Sequence, residues 1–213
     1  MNRLCGIDEA GRGPLAGPVC AAAVVLPEGF PVWLLDDSKK LTPPVREELK
    51  GIICPGSEAW GIGWASAAEI DEINIHNASL LAMKRAFHAM IAAWEKSGVQ
   101  SSGLPEIRAV ADGLFVPDIP VPCEAMVQAD SKVSEVMAAS ILAKTARDHL
   151  MEYYGIFYPE YGYEKHKGYP TKAHREAILR LGPSPIQRMS FRSVTFPKFS
   201  VSEVPVPAAL PDT

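Results

Sequence analysis

Apolar and polar positions along this chain follow two periods, alternating in short runs and recurring every three to four residues in longer ones. Leu4 to Asp8 predicts a short strand and Val19 to Leu26 (VCAAAVVL) a longer buried one. The glycine-rich turn between them predicts that the two lie side by side and antiparallel. Pro43-Pro44 predicts a helix start with Thr42 as its cap, continuing through Val45, Leu49, Ile52 and Ile53. Ala59 to Ala65 predicts another strand. From Ala67 to about Glu95 the pattern is helical with a break near Asn74 to Asn77, and Leu80, Met83, Phe87, Met90, Ile91 and Trp94 form one apolar face. Lys96-Ser97-Gly98 ends that helix.

The second half repeats the alternation. Ser101 to Pro105 predicts a polar loop, Ile107 to Ala111 a strand running into Asp112-Gly113, and Val121 to Ala129 contains another strand running into Asp130. Ser131 to Tyr154 predicts a second long helix whose many alanines imply close packing against a sheet. Tyr158 to Lys172 is aromatic and basic without clear period, Lys172 to Leu181 predicts a helix stopped by Gly182-Pro183, and a short segment covers Ile186 to Phe196. Strands first, then helices and strands in alternation, predict an α/β domain with a mixed central sheet whose antiparallel part comes early.

Composition sharpens this only in places. With 213 residues, 47% of them hydrophobic and 22% charged, the chain can bury one substantial core, so a single domain over residues 1–196 is expected. From Pro197 the chain is rich in proline and small residues, which predicts a disordered tail over 197–213. No apolar run reaches the length needed to cross a bilayer, Met1-Asn2-Arg3 leads straight into a strand, and a cytoplasmic protein without membrane contact is expected. Cys5, Cys20, Cys54 and Cys123 are scattered, so buried reduced thiols are expected rather than a zinc site or disulfides. The net charge of −4 argues against general polyanion binding. It does not exclude a cationic groove beside a carboxylate-rich site, which itself lowers the total.

The chemistry concentrates at strand ends. Asp8 and Glu9 are adjacent and are followed by Gly11-Arg12-Gly13, while Asp112 and Asp130 each follow a predicted strand. Ligand sites of α/β sheets cluster at such ends, so residues distant in sequence can converge. Two carboxylates at ~4 Å in a dielectric of about 20 repel by roughly 4 kcal/mol, close to three pKa units. A divalent cation resolves that conflict, and an all-oxygen donor set selects Mg²⁺ or Mn²⁺ over Zn²⁺. Gly11 and Gly13 leave backbone N–H groups open to a phosphate or sugar, and Arg12 adds charge. The spacing fits neither a P-loop nor a dinucleotide-binding turn. Ser38-Lys39-Lys40, Lys132, Lys144, Arg147, Lys165 and Lys167 are candidate phosphate contacts, with Ser140, Lys144 and Asp148 in one helical stripe. Tyr161, Tyr163 and Tyr169 are interleaved with Lys165, His166 and Lys167, suited either to stacking on sugars and bases or to packing at a core edge.

Taken in order, these segments resemble ribonuclease HII, the bacterial type 2 ribonuclease H. The likeness runs from Arg3 to Phe196 through Gly6-Ile-Asp-Glu-Ala-Gly-Arg-Gly-Pro-Leu-Ala-Gly17, Asp37-Ser-Lys-Lys-Leu41, Asp112-Gly113, Ala129-Asp-Ser-Lys132, Ala138 to Lys144 with Arg147-Asp148, His166-Lys-Gly-Tyr169 with Thr171 and His174, and Arg188-x-Ser190-Phe191. The resemblance implies a ribonuclease H-like fold with a helical C-terminal extension. It also implies an endonuclease dependent on Mn²⁺ or Mg²⁺ that cuts RNA in RNA–DNA hybrids and at single ribonucleotides in duplex DNA, leaving 5′-phosphate and 3′-hydroxyl ends, in ribonucleotide removal during replication and repair. On this likeness Asp8, Glu9, Asp112 and Asp130 hold the metals, and Lys144 and Asp148 are secondary contributors. Gly11, Arg12 and Gly13 contact the ribonucleotide, Tyr169 packs on the following deoxyribose, and Lys40 adds a nucleic-acid contact. A monomer is expected.

Overall fold

The computed structural model describes residues 3–96 and 106–191. The expected helix stop at Ser97-Gly98, the polar loop over 101–105, the end of the Ile186 to Phe196 segment past residue 191 and the tail over 197–213 lie outside the described residues.

Five strands form one sheet in the order β3-β2-β1-β4-β5. β1 (Arg3–Ala10), β2 (Val19–Val25) and β3 (Ala59–Ala65) run antiparallel, and β4 (Ile107–Asp112) and β5 (Cys123–Met126) continue the sheet parallel to β1. The mixed sheet with its antiparallel part first is as expected. β2 is buried along its whole length, because both sheet faces are covered.

On one face α2 (Ala67–Lys96) packs Met83, Phe87 and Met90 against Ile7, Val19 and Ala21. On the other, α1 (Pro43–Gly56) and α3 (Ser134–Phe157) pack Ile53, Ile141 and Leu142 against Cys20, Ala22 and Val24. The small side chains of β2 let both layers approach. Gly6 shows how close: a Cβ there would lie 2.1 Å from the backbone carbon of Glu135, so β1 touches the first turn of α3. All four cysteines are free thiols, with Cys5 and Cys20 buried and Cys54 and Cys123 partly so. Among the described residues no helix is long and apolar enough to cross a membrane.

The break expected in α2 falls at Asn74, whose backbone is left-handed (φ 67°) and whose side chain accepts the N–H groups of His76 and Asn77. Three details differ from the sequence reading. Thr42 sits at the N-cap of α1 but its hydroxyl caps nothing, since Pro44 lacks one of the N–H groups such a cap would use. The fifth strand lies within Val121 to Ala129 as expected, starting after Pro122, which has no N–H to donate, and ending before Gln128, which turns left-handed (φ 58°). Asp130 therefore stands not at a strand end but in a 3-10 turn, Ala129–Ser131, and α3 begins three residues later than Ser131. The C-terminal extension is helical, with a 3-10 turn over Pro159–Tyr161, α4 (Tyr163–His166) and α5 (Lys172–Leu181), the last capped by Thr171.

Candidate active site

The acids meet at the end of β1. In parallel pairing Ile7 is level with Ala111, so Asp8 and Asp112 stand side by side one step further on. Asp8 is buried, and its carboxyl is held well above the usual range, first by burial, then by the charge of Glu9, with Asp112 adding to it; a hydrogen bond from Ser140 opposes the shift. Ser140 in turn shares a 2.8 Å hydrogen bond with Ser38, which ties the acid to both α3 and the loop before α1. Glu9 is also raised, by burial, against the opposing pull of Arg12. One of its oxygens lies 3.4 Å from the Arg12 guanidinium; the other, Oε2, is buried with no partner.

Asp112 accepts the backbone N–H of Ala129 at 2.7 Å, which pins the 3-10 turn carrying Asp130 against β4. Asp130 is buried and pairs with Lys39 Nζ at 2.7 Å. Lys39 reaches in from a largely exposed position, and its pKa is raised by the hydrogen bond to Asp130, with the charges of Asp130, Asp8 and Asp37 contributing. The four acids thus share one electrostatic neighbourhood, linked pairwise by Asp8–Glu9, Asp8–Asp112, Glu9–Asp112 and the bridging Lys39.

That donor set suits a hard divalent cation. It is made of carboxylate oxygens, one of them orphaned, in a place where desolvation has already raised the cost of negative charge. The oxygens are not closed into a finished cage: among the described residues no three acidic, histidine or cysteine side chains stand together at metal-holding distances. Lys39 and Arg12 provide positive charge to the cluster from within the chain.

Beside the acids, residues 11–18 form a loop whose carbonyls are turned inward. Arg188 is fully buried and donates to the carbonyls of Gly17 (2.8 Å), Arg12 (3.0 Å), Gly11 (2.6 Å) and Pro18 (3.2 Å). Arg147 donates to those of Pro18 (3.0 Å), Ala16 (3.2 Å) and Lys167 (3.0 Å). A Cβ at Gly11 would sit 2.0 Å from Arg147 Nε, and φ there is +101°, so only glycine fits. Leu15 N–H bonds to Gly168 and Gly17 N–H to Ile186, which lashes the loop to the C-terminal extension. Burial and the nearness of Arg147 pull the Arg188 pKa down to about 9.

Tyr169 is part of the same edge. Its ring edge lies 3.8 Å from where a Gly13 Cβ would be, and it is 42% exposed, open to a ligand. Its carbonyl accepts from His174 Nδ1 at 3.0 Å, and His174 stacks on His166 with ring centroids 4.4 Å apart. Gly11, Arg12, Gly13 and Tyr169 are therefore brought together next to Asp8 and Glu9.

Other sequence candidates are placed elsewhere. Asp148 is buried and spends both oxygens on cations, Oδ2 on Arg46 (2.9 Å) and Oδ1 on Lys144 (2.5 Å), so neither Asp148 nor Lys144 faces the acids as a free ligand. Arg147 holds carbonyls rather than phosphate, because the helical phase that buries Ala143 and Met151 buries it too. Tyr163 is buried and stacks on Tyr161 at 5.5 Å, the core-edge alternative. Lys167 pairs with Glu152 and Lys132 with the Val127 carbonyl. Lys165 is exposed, and Lys40 is exposed beside Asp36 at 3.5 Å. Sequence reasoning missed the cradle role of Arg188, Lys39 as partner of Asp130, and Arg46. An apolar concavity lined by Cys54, Trp60, Trp64, Leu142 and Tyr153 lies on the α1–α3 side and contains none of the candidate residues.

Comparison with known proteins agrees with this geometry. A family model described as ribonuclease HII matches residues 5–194. A ribonuclease HII of Treponema denticola is 56% identical over 192 residues, covering 88% of this chain and 97% of the relative. Among solved structures, the ribonuclease HII bound to PCNA from Archaeoglobus fulgidus is 26% identical with a TM-score of 0.69, over 90% of this chain and 95% of that one. Ribonuclease H2 of Pyrococcus horikoshii is 25% identical with a TM-score of 0.65, over 89% and 94%.

Proposed function

The chain belongs to the ribonuclease HII family and is a hydrolase of the ribonuclease H type, and from that premise we propose that it cuts the RNA strand at RNA-to-DNA junctions, including a single ribonucleotide in duplex DNA. The observation that carries this reading is the Tyr169 ring facing Gly13, 3.8 Å from where a Cβ there would be, beside the buried acids. A loop with its carbonyls tied inward leaves the N–H groups of Gly11, Arg12 and Gly13 and the Arg12 side chain for a ribonucleotide and its phosphate, while an exposed aromatic ring across from Gly13 suits the flat, apolar face of the next deoxyribose. Only a ribonucleotide carries the 2′-hydroxyl that lets a protein tell RNA from DNA at one position.

Asp8, Glu9, Asp112 and Asp130 would hold two Mg²⁺ or Mn²⁺ ions, the unpartnered Glu9 oxygen among the donors. When bound, such ions activate a water and stabilise the leaving 3′-oxygen, giving 5′-phosphate and 3′-hydroxyl ends. The chain's own contribution is placement: Ser140 and Ser38 orient Asp8, Ala129 orients Asp112, and the two buried arginines fix the loop that receives the substrate. The proposed role is removal of ribonucleotides during DNA replication and repair.

The test is cleavage of three labelled duplexes (all DNA, one ribonucleotide, continuous hybrid), each with and without chelator. Cleavage of both ribose-containing duplexes, absent on DNA and lost with chelator, is the expected result; cleavage of all-DNA duplex overturns the reading. In Tyr169→Ala the preference between the two ribose-containing substrates shrinks, and an unchanged ratio removes Tyr169 from the site.

A further inference from the structure

Directly after Asp112-Gly113 come three exposed apolar side chains in a row, Leu114 at 75%, Phe115 at 57% and Val116 at 43% exposure. Single exposed apolar residues are ordinary, but a contiguous run beside a reactive group calls for a cause. The segment is firmly seated. Gly113 N–H bonds to the Met126 carbonyl at 3.1 Å, the Phe115 ring meets His76 edge-on at 4.5 Å, and Asp118 pairs with Lys84 at 2.6 Å. Ile119 and Val121 pack into the α2-side core. Only the crest faces outward.

That crest is continuous with the candidate active site. Arg12, Asp112, Leu114 and Phe115 line one small cleft together with His76 and Ser79, and the Ser79 hydroxyl is buried there without a partner. Between Gly113 and Val121 there is no lysine or arginine, and Asp118 is the one charged residue. Next to a cluster of acids, such a segment cannot attract phosphate. It can meet the uncharged parts of a nucleotide, the C–H edges of the sugar and the face of the base.

We propose that Leu114, Phe115 and Val116 form the apolar part of the nucleic-acid interface, with Phe115 and Leu114 packing on the nucleotide flanking the cut. This rests on the nuclease reading above and extends it to the cleft that Asp112 shares with Leu114 and Phe115. Stacking of this kind tolerates any base, which suits an enzyme that must act wherever a ribonucleotide lies.

The experiment uses the full chain, Phe115→Ala and Leu114→Ala, and a duplex holding one ribonucleotide flanked by 2-aminopurine, in Ca²⁺ for binding and Mg²⁺ for turnover. Phe115→Ala should weaken binding about 10-fold or more. The loss should fall on KM more than on kcat, with the 2-aminopurine quench seen with the unmodified chain reduced and then restored by Phe115→Trp. Both side chains are largely exposed, so melting temperatures should barely move, and Leu114→Ala gives an independent reading should Phe115→Ala misfold. Equal affinity and equal quench in both variants overturn the proposal, as does loss of self-association without loss of duplex affinity. If the unmodified chain neither binds nor cuts the duplex, the nuclease reading fails instead.

Discussion

Between Asp8 and Pro18 the chain passes from a group of buried charges left wanting to a group of buried charges fully satisfied. Asp8 and Glu9 are desolvated among other acids, their pKa values raised and one oxygen without a partner. Arg147 and Arg188 are as deeply buried and form no ion pair among the described residues, yet between them they make seven hydrogen bonds to main-chain carbonyls. Charge-assisted bonds of that kind are roughly twice as strong as neutral ones. The difference separates two uses of buried charge. Where a loop is held in place the fold satisfies its charges internally, and at the acid cluster it leaves a carboxylate oxygen unsatisfied.

Opposite signs of effect on stability would make that contrast visible. Arg188→Ala strips four carbonyls of their donor, and a loss of about 3–5 kcal/mol in denaturant unfolding is expected, since breaking buried charged contacts costs on that order. Arg188→Lys should recover little, because an ammonium cannot reach four carbonyls in fork geometry. A neutral outcome would mean that the cradle is ornamental.

Asp8→Asn should do the reverse to the apoprotein while lowering turnover by ~100-fold or more and leaving duplex binding largely intact. An acid whose folded pKa is raised keeps a proton that the unfolded chain has lost. Apoprotein stability therefore falls as pH rises from the ordinary carboxylate range through the folded pKa, and Asp8→Asn should flatten that fall. Thermal melts in chelator across that window, paired with cleavage assays, check both halves; normal turnover would remove Asp8 from the site.

A smaller effect should come from the edge that carries Tyr169. His174 is held neutral by burial, its pKa pulled down to about 4 from 6.5. In the unfolded chain it takes up a proton first, so stability is lost as pH falls from about 6.5 toward 4. His174→Gln, which keeps a donor for the Tyr169 carbonyl, should make melting less sensitive over that range; unchanged sensitivity would assign the acid lability elsewhere.

Strands and long helices were legible because their signals are local. Val19 to Val25 is a run of small and branched residues, and Met83, Phe87 and Met90 repeat at helical spacing. The four acids were legible because two are adjacent and one follows directly on an apolar run. Gln128 was not, since a left-handed residue other than glycine has no sequence mark, and with it went the placement of Asp130. The cradle was hidden for another reason: an arginine reads the same whether it faces water or a carbonyl on a distant segment. Arg147 left one clue, because the spacing Ala143, Arg147, Met151 puts it on the buried side of α3. Arg188 left none in its neighbours, and its partners lie at the other end of the chain.

That separation has a temporal side. All four acids have been synthesised by Asp130, whereas the loop beside them is held by side chains as late as Gln187 and Arg188. A ribosome-bound chain carries the acid cluster long before it can shape the loop beside it. A nascent or clipped copy that stops before Gln187 therefore has the four acids without the side chains that set the neighbouring loop.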